Sequence, residues 1–342
     1  YNKDINEVKS EIEYQHTSSW SKHLRTVAGV RVRVDEFDSQ TYNQGHSNNT
    51  NTSAFTNIEY KFADDYILNM GGMLETDDLN GQHFSPRLAL NYHLTPKQTL
   101  RFIYSRAIRS PSLYEKEGQQ SFILTNATLN DSPITDYEFS EMRSGHSDLV
   151  NEKITSHEIS YFGLLPRING QLDLKFFYDE LSGFISQGLN FDEPLTNENR
   201  ITQKGFEGQF TCNLNTKNKL MFSFSRLQTN DDFSGNNEDI SKEGNLSADH
   251  SGSLVWITSV DKNTHFAAAY YLVDNWGRHD DVQGVNFSRI DLNVSQTLTL
   301  NHNYQMKWQG AMQYRLDDDP LLYSNNRYSD DLHLYASVEL SF

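Results

Sequence analysis

Cysteine is nearly absent from this chain. The single Cys212 can neither close an intrachain disulfide nor contribute to a Cys-based metal cage, so the redox compartment stays open. Apolar residues are scarce as well, at 36%, against roughly 45–50% in ordinary globular chains. With a mean hydropathy of -0.68, a thick two-layer core is excluded. No run approaches the roughly 18 apolar residues of a membrane-spanning helix, so the protein is either soluble or spans a membrane by other means. Positive charge is the third shortage: 29 Lys and Arg face 46 Asp and Glu, giving a net charge of -17. Nucleic acid is therefore excluded as a partner, because phosphate binding needs a basic footprint. Aromatics are plentiful, with 18 Tyr, 20 Phe and 4 Trp in 342 residues, which disorder-prone compositions lack.

Those aromatic and aliphatic residues alternate with polar ones. Leu332, Leu334, Ala336, Val338, Leu340 and Phe342 share one parity, with His333, Tyr335, Ser337, Glu339 and Ser341 on the other. The same period of two runs through Leu172, Leu174, Phe176 and Tyr178, and through Ile290, Leu292 and Val294. Helical spacing is nowhere sustained, so the chain is all-β.

The connections alternate in length. Short polar turns are expected around 17–21, 63–65, 95–98, 164–169, 215–218, 261–264 and 301–303. Longer polar segments are expected at roughly 35–53, 76–82, 106–150, 179–200, 226–249, 273–287 and 316–330. Two-faced strands with strictly alternating short and long connections are the signature of an antiparallel transmembrane β-barrel of the bacterial outer membrane. A closed barrel pairs every backbone N–H and C=O inside the bilayer. It needs apolar side chains on one face only, which reconciles a polar composition with a membrane protein. Tyr60, Tyr92, Tyr104, Tyr161, Tyr178, Trp256 and Tyr314, near strand ends, suit interfacial girdles. A soluble sandwich or propeller is the plain alternative. The count is about fifteen strands where single-chain barrels normally have an even number. At least one strand is thus expected ahead of Tyr1, with 1–342 a single barrel domain forming the C-terminal portion of a longer protein.

Several passages then carry a resemblance. The run TPKQTLRFIYSRAIRSPSLYE contains Arg109, Ser110, Pro111, Ser112, Leu113 and Tyr114, and HSDLVNEKITSHEISYFG contains Asp148, Leu149, Glu152 and Glu158. With LKFFYDELSGFI, KGFEGQFTCNL, SRIDLNVSQTL and the terminal SVELSF, these resemble the TonB-dependent outer-membrane receptors in order and spacing. His146-Ser147 stands where that family's second box has Asn-Pro. The resemblance implies a barrel of about 22 strands around a plug; neither the plug nor the first strands are in this sequence. It implies uptake of a small-molecule iron chelate, most often a ferric siderophore, driven by the TonB complex through that plug. Outer-membrane lipid and lipopolysaccharide would be the remaining partners. A plug-less porin, a haem receptor and a barrel enzyme are the rivals. The terminal strand resembles the signal read by the barrel-assembly machinery, a role falling to Tyr335, Val338, Leu340 and Phe342.

Candidate ligand contacts are Arg106 and Arg109, whose guanidinium forks suit anionic chelates, with Tyr114 and Tyr137 as vestibule aromatics. The plain alternative for the arginines is pairing with Glu152 and Glu158. His146 is the only His between Pro111 and Asp148, hence the one candidate haem ligand; a loop His that merely hydrogen-bonds is the simpler reading. The acidic pairs read as solvated surface. A calcium loop at Asn230, Asp232, Ser234 and Gly235 fails because Ser241 stands where a bidentate Glu is needed. No catalytic motif, metal site or cofactor is expected.

Overall fold

The computed structural model describes residues 4–124, 127–129, 132–134, 137–186, 195–233, 248–276, 285–301, 304–317 and 330–341. Six strands open the chain: β1 (Asn6–Ser19), β2 (Leu24–Ser39), β3 (Gly45–Phe62), β4 (Tyr66–Asp77), β5 (Gly81–Thr95) and β6 (Gln98–Arg109). A one-turn helix α1 (Leu113–Glu117) and short strands β7 (Gln119–Leu124), β8 (Ala127–Leu129), β9 (Ser132–Ile134) and β10 (Tyr137–Ser144) follow. The wall resumes with β11 (Glu152–Leu165), β12 (Gly170–Ser186), β13 (Thr196–Asn213) and β14 (Asn218–Phe233). It ends with β15 (His250–Ser259), β16 (Thr264–Trp276), β17 (Val285–Asn301), β18 (Tyr304–Arg315) and β19 (Leu332–Ser341).

Fifteen of these form one antiparallel sheet in chain order, with β6 pairing directly with β11 and β7–β10 standing apart as two small hairpins. Among the described residues β1 and β19 each have one neighbour, so the barrel wall is unclosed.

Register fixes the two faces. On the concave side Glu11, Arg33, Asn51 and Asp77 lie in line across β1–β4, and Asp173, Gln209, Ser223, Ser253 and Tyr271 do so across β12–β16. The convex side carries Val30, Val32, Leu74, Phe102, Ile159, Phe176 and Leu254, all exposed, as expected of side chains meeting lipid. At the short-turn end of this face Tyr60, Phe62, Tyr66 and Tyr92 form a stacked row with centroids 6.2, 5.3 and 4.6 Å apart. Such a row, on β3, β4 and β5, is what an interfacial girdle requires.

The short turns are built by side chains that accept from the backbone two and three residues ahead. Asn215 Oδ1 accepts from Lys217 and Asn218 N–H at 2.8 and 2.9 Å, and Asp261 Oδ1 from Asn263 and Thr264 at 2.7 and 2.8 Å. Ser21 Oγ does the same for His23 and Leu24, at 3.1 Å each.

Two expected long segments prove different. Most of 35–53 and 76–82 is strand, and the β2–β3 and β4–β5 connections are tight turns over residues 40–44 and 78–80. Polar residues there mislead because strand that rises beyond the bilayer is wet on both faces, yet still closes its backbone hydrogen bonds by pairing.

Candidate functional site

The long connection between β6 and β11 folds back onto the inner wall, and its base is tied at several points. Arg109 ends β6 directly opposite Glu152 at the start of β11. Its Nη2 donates to Glu152 Oε1 at 2.8 Å, and Nη1 donates to Glu115 Oε2 at 3.0 Å. Glu152 Oε1 also accepts from Ile185 N at 2.8 Å. Glu115 is the reciprocal partner of Ser112 in a capping box that starts α1. Burial pushes the Glu115 carboxyl up, but the hydrogen bonds from Arg109 and Ser112 outweigh it and hold it below the usual carboxylate range.

The returning chain docks on the same helix. Gly145 N–H donates to Gly118 O, and His146 N–H to Glu115 O at 2.9 Å. A side chain at Gly145 would meet Lys116 C and Gly118 N, each 2.7 Å from its Cβ, so the two loop ends touch backbone to backbone. Leu149 beyond them is buried at 3% exposure. Asn197 on β13 donates to Val150 O at 3.0 Å and Gly183 O at 2.6 Å, and accepts from Val150 N at 2.7 Å.

Beneath α1 lies a buried carboxylate that sequence reasoning missed. Asp77, 3% exposed, accepts from Asn49 Nδ2 at 3.0 Å and Asn51 Nδ2 at 3.3 Å. It also accepts from Leu79 N, Asn80 N and Asn80 Nδ2 at 3.0, 3.0 and 2.9 Å. Asn80 passes the support on to Pro111 O at 3.3 Å, and Lys116 Nζ reaches Leu79 O at 2.7 Å. The β4–β5 turn is thus a pedestal for the Arg-Ser-Pro segment. The signal available in the sequence was the Asp-x-x-Asn turn itself; its partners on β3 follow only from register.

Between this segment and β1–β4 opens a cleft of about 410 Å³, lined by Glu7, Lys9, Arg33, Asp35, Asn49 and Tyr114 among others. Lys9 pairs with Glu7 at 2.7 Å and Arg33 with Asp35 at 3.0 Å. Asp35 Oδ1 and Asn49 Oδ1 are buried acceptors without a protein partner among the described residues. The Tyr114 ring meets Tyr42 edge-on with centroids 6.2 Å apart. Chemically the cleft offers paired charges, open acceptors and an aromatic flank, which suits a polar ligand carrying hydrogen-bond donors.

The candidates from sequence separate here. Arg109 is engaged by two carboxylates. Arg106 projects from the opposite face of β6 and cannot share its role; it pairs in register with Thr155, not Glu158. Tyr114 lines the cleft. His146 contributes its backbone to the loop base, and no cluster of three metal-binding side chains occurs among the described residues. Tyr137 lies on β10, its side chain outside the described residues, as is Phe342. Val338 and Leu340 share the convex face of β19, while Tyr335 takes the other.

Comparison with known proteins follows this geometry. The sequence family described as TonB dependent receptor-like, beta-barrel, matches residues 2–303. The chain belongs to that family. Over 91 residues the receptor barrel is 32% identical to the iron-regulated outer membrane virulence protein of Vibrio cholerae, covering 25% of this chain and 14% of that one. The siderophore receptor PirA of Pseudomonas aeruginosa matches with TM-score 0.68 at 11% identity, over 98% of this chain and 55% of that one. The copper transporter OprC matches with TM-score 0.68 at 14% identity, over 99% and 56%. At such identities the likeness is one of fold, and the TonB-dependent receptor barrel spans about half the length of those two structures. It resides in the outer membrane of a Gram-negative bacterium.

Proposed function

We propose that this chain is the C-terminal barrel portion of a TonB-dependent receptor that takes up a ferric siderophore. The observation that carries the reading is the family match over residues 2–303, joined to the iron-regulated relative. The unclosed sheet supports a longer parent, since β1 and β19 leave backbone groups that must be paired inside a bilayer. In this reading the extracellular loops and the cleft beside Tyr114 make the first ligand contacts. Binding then shifts a plug toward a TonB-competent state, as far as the ligand's differential affinity for the two states allows. The exposed β19 face with Val338 and Leu340, with Tyr335 and Phe342, is assigned to recognition by the barrel-assembly machinery.

Fold alone does not choose the cargo, because a siderophore receptor and a copper transporter match equally well. Binding measured by tryptophan fluorescence quenching on the full-length receptor, with ferric hydroxamate, ferric catecholate, haem and copper, tests the choice. Submicromolar binding of one ferric chelate, absent with its iron-free form, supports the reading; binding of copper or haem alone overturns it.

A further inference from the structure

The convex face of the sheet is not uniform around the barrel. On this face the strands start from their short turns at one membrane interface, so counting residues from each turn measures height. Nine or ten residues of tilted strand cover roughly 25 Å, the thickness of the apolar band. At that height β2 carries Val32, β3 Ala54, β4 Leu74 and β5 Pro86; on the far side β16 carries Leu272, β17 Leu292 and β18 Met312. In between, the level changes character. Arg106 lies nine residues beyond Lys97, Lys204 ten before Leu214 and Arg226 nine beyond Lys217. His157, Tyr178 and His250 fill the remaining strands of this sector at the same height.

Every outward-facing Lys or Arg of the described sheet strands stands on β6, β11, β13 or β14: Arg106, Lys153, Arg200, Lys204 and Arg226. The other strand cations of the wall face the lumen, in a chain of net charge -17. Arg106, Lys204 and Arg226 are exposed and in no ion pair among the described residues. Among the described side chains of this sector two outward acids occur, and neither neutralises them: Glu180 is held by Arg200 at 2.6 Å, and Asp274 sits 3.6 Å from His250 Nδ1. Below the cations the face is aromatic and apolar, with Tyr104 against His157 at 5.2 Å and Phe176 against Phe206 at 4.8 Å.

Basic side chains at the upper rim of an acyl-chain surface are where a phosphate-bearing headgroup resides, and they attract it within a Debye length. The geometry points to a binding site for the phosphorylated glycolipid of the outer leaflet, lipopolysaccharide, on the β6–β15 sector. Arg106, Lys204 and Arg226 hold its lipid A phosphates, Lys153 lies above them, and the Tyr104–Phe224 surface receives its acyl chains. This assigns Arg106 a role outside the ligand cleft and depends on the outer-membrane location alone, not on the transported cargo.

The test is native mass spectrometry of the full-length receptor released from vesicles of phosphatidylethanolamine containing lipid A, with three comparisons. The R106Q/K204Q/R226Q variant should retain lipid A on the order of a hundredfold less tightly, since each basic residue near an anionic lipid surface contributes on the order of a fivefold factor. Wild-type receptor offered lipid A stripped of both phosphates should show the same loss, a comparison that needs no variant to fold. Inorganic phosphate at millimolar concentration should displace nothing, separating a headgroup site from a free-anion site. Equal retention by the variant, equal retention of dephosphorylated lipid, or displacement by free phosphate would each overturn the assignment.

Discussion

Two stretches of inner wall contrast. Across β1–β4 the wall is crowded with charged and amide side chains, several of them buried, and a loop is fastened over it. Across β13–β16 the inner wall presents Ser223, Ser225, Ser251 and Ser253, flanked by Glu207, Gln209 and Tyr271, around an open concavity of about 350 Å³. The first stretch specifies one arrangement, because each buried polar group left unpaired carries a penalty. The second is faced at its centre by short hydroxyls, two of which meet where Ser223 and Ser253 approach to 2.8 Å, with the Lys175–Glu207 pair at 2.6 Å on its edge. In the receptor proposed above, the first stretch is the frame that positions the β6–β11 connection, and the second leaves a smooth hydroxyl face on the lumenal wall.

The contrast can be broken at several points. Asp77→Ala should do most, because five donors lose their acceptor together; a loss of about 3 kcal/mol or more is expected, read as lost hydrogen-exchange protection at residues 78–81. Unchanged protection there would show that the pedestal does not carry the loop. Arg109→Ala comes next, leaving Glu115 and Glu152 without their shared cation. Arg109 is half-exposed, at 49%, so about 1–3 kcal/mol is expected, visible as faster exchange in 110–118 and 145–151 and not in β13–β16.

Acidification is a milder version of the same lesion. Glu115 has its folded pKa lowered from an ordinary value of 4.5, so its contribution is complete above that value and is lost as pH falls through the folded pKa. Exchange at the loop base should therefore be constant down to about pH 5 and rise below the ordinary value of 4.5; a rise centred near neutrality would point to a different group. Ser253→Ala should do least, costing under about 1 kcal/mol with no effect on loop exchange, and a larger cost would mean that the smooth face is as specified as the crowded one.

Much of the wall was legible in the sequence because alternation is a local property. Leu172–Tyr178 and Leu332–Leu340 show their lipid face without any partner, and short turns reveal themselves through Asn215 and Asp261. In 35–53 the sequence reads as loop although most of it is strand, because strand above the bilayer needs no apolar face and the pattern loses its contrast. Arg106 and Arg109 were readable as opposites, since an odd separation on a strand puts two side chains on different faces. The Asp77 network was not readable, because Asn49 and Asn51 are 28 and 26 residues away and meet it only through the β3–β4 register. The partnership of Arg109 with Glu115 and Glu152 needed the helix cap and the β6–β11 pairing at once.

Uptake of radiolabelled iron by iron-starved cells bearing the full-length receptor tests the central claim most directly, with TonB present or deleted and the matching ferric chelate supplied. The account predicts accumulation that needs both the receptor and TonB and that survives Ser253→Ala but falls with Arg109→Ala. Accumulation independent of TonB, proportional to external concentration and indifferent to the chelator, would contradict it and make the barrel a passive pore.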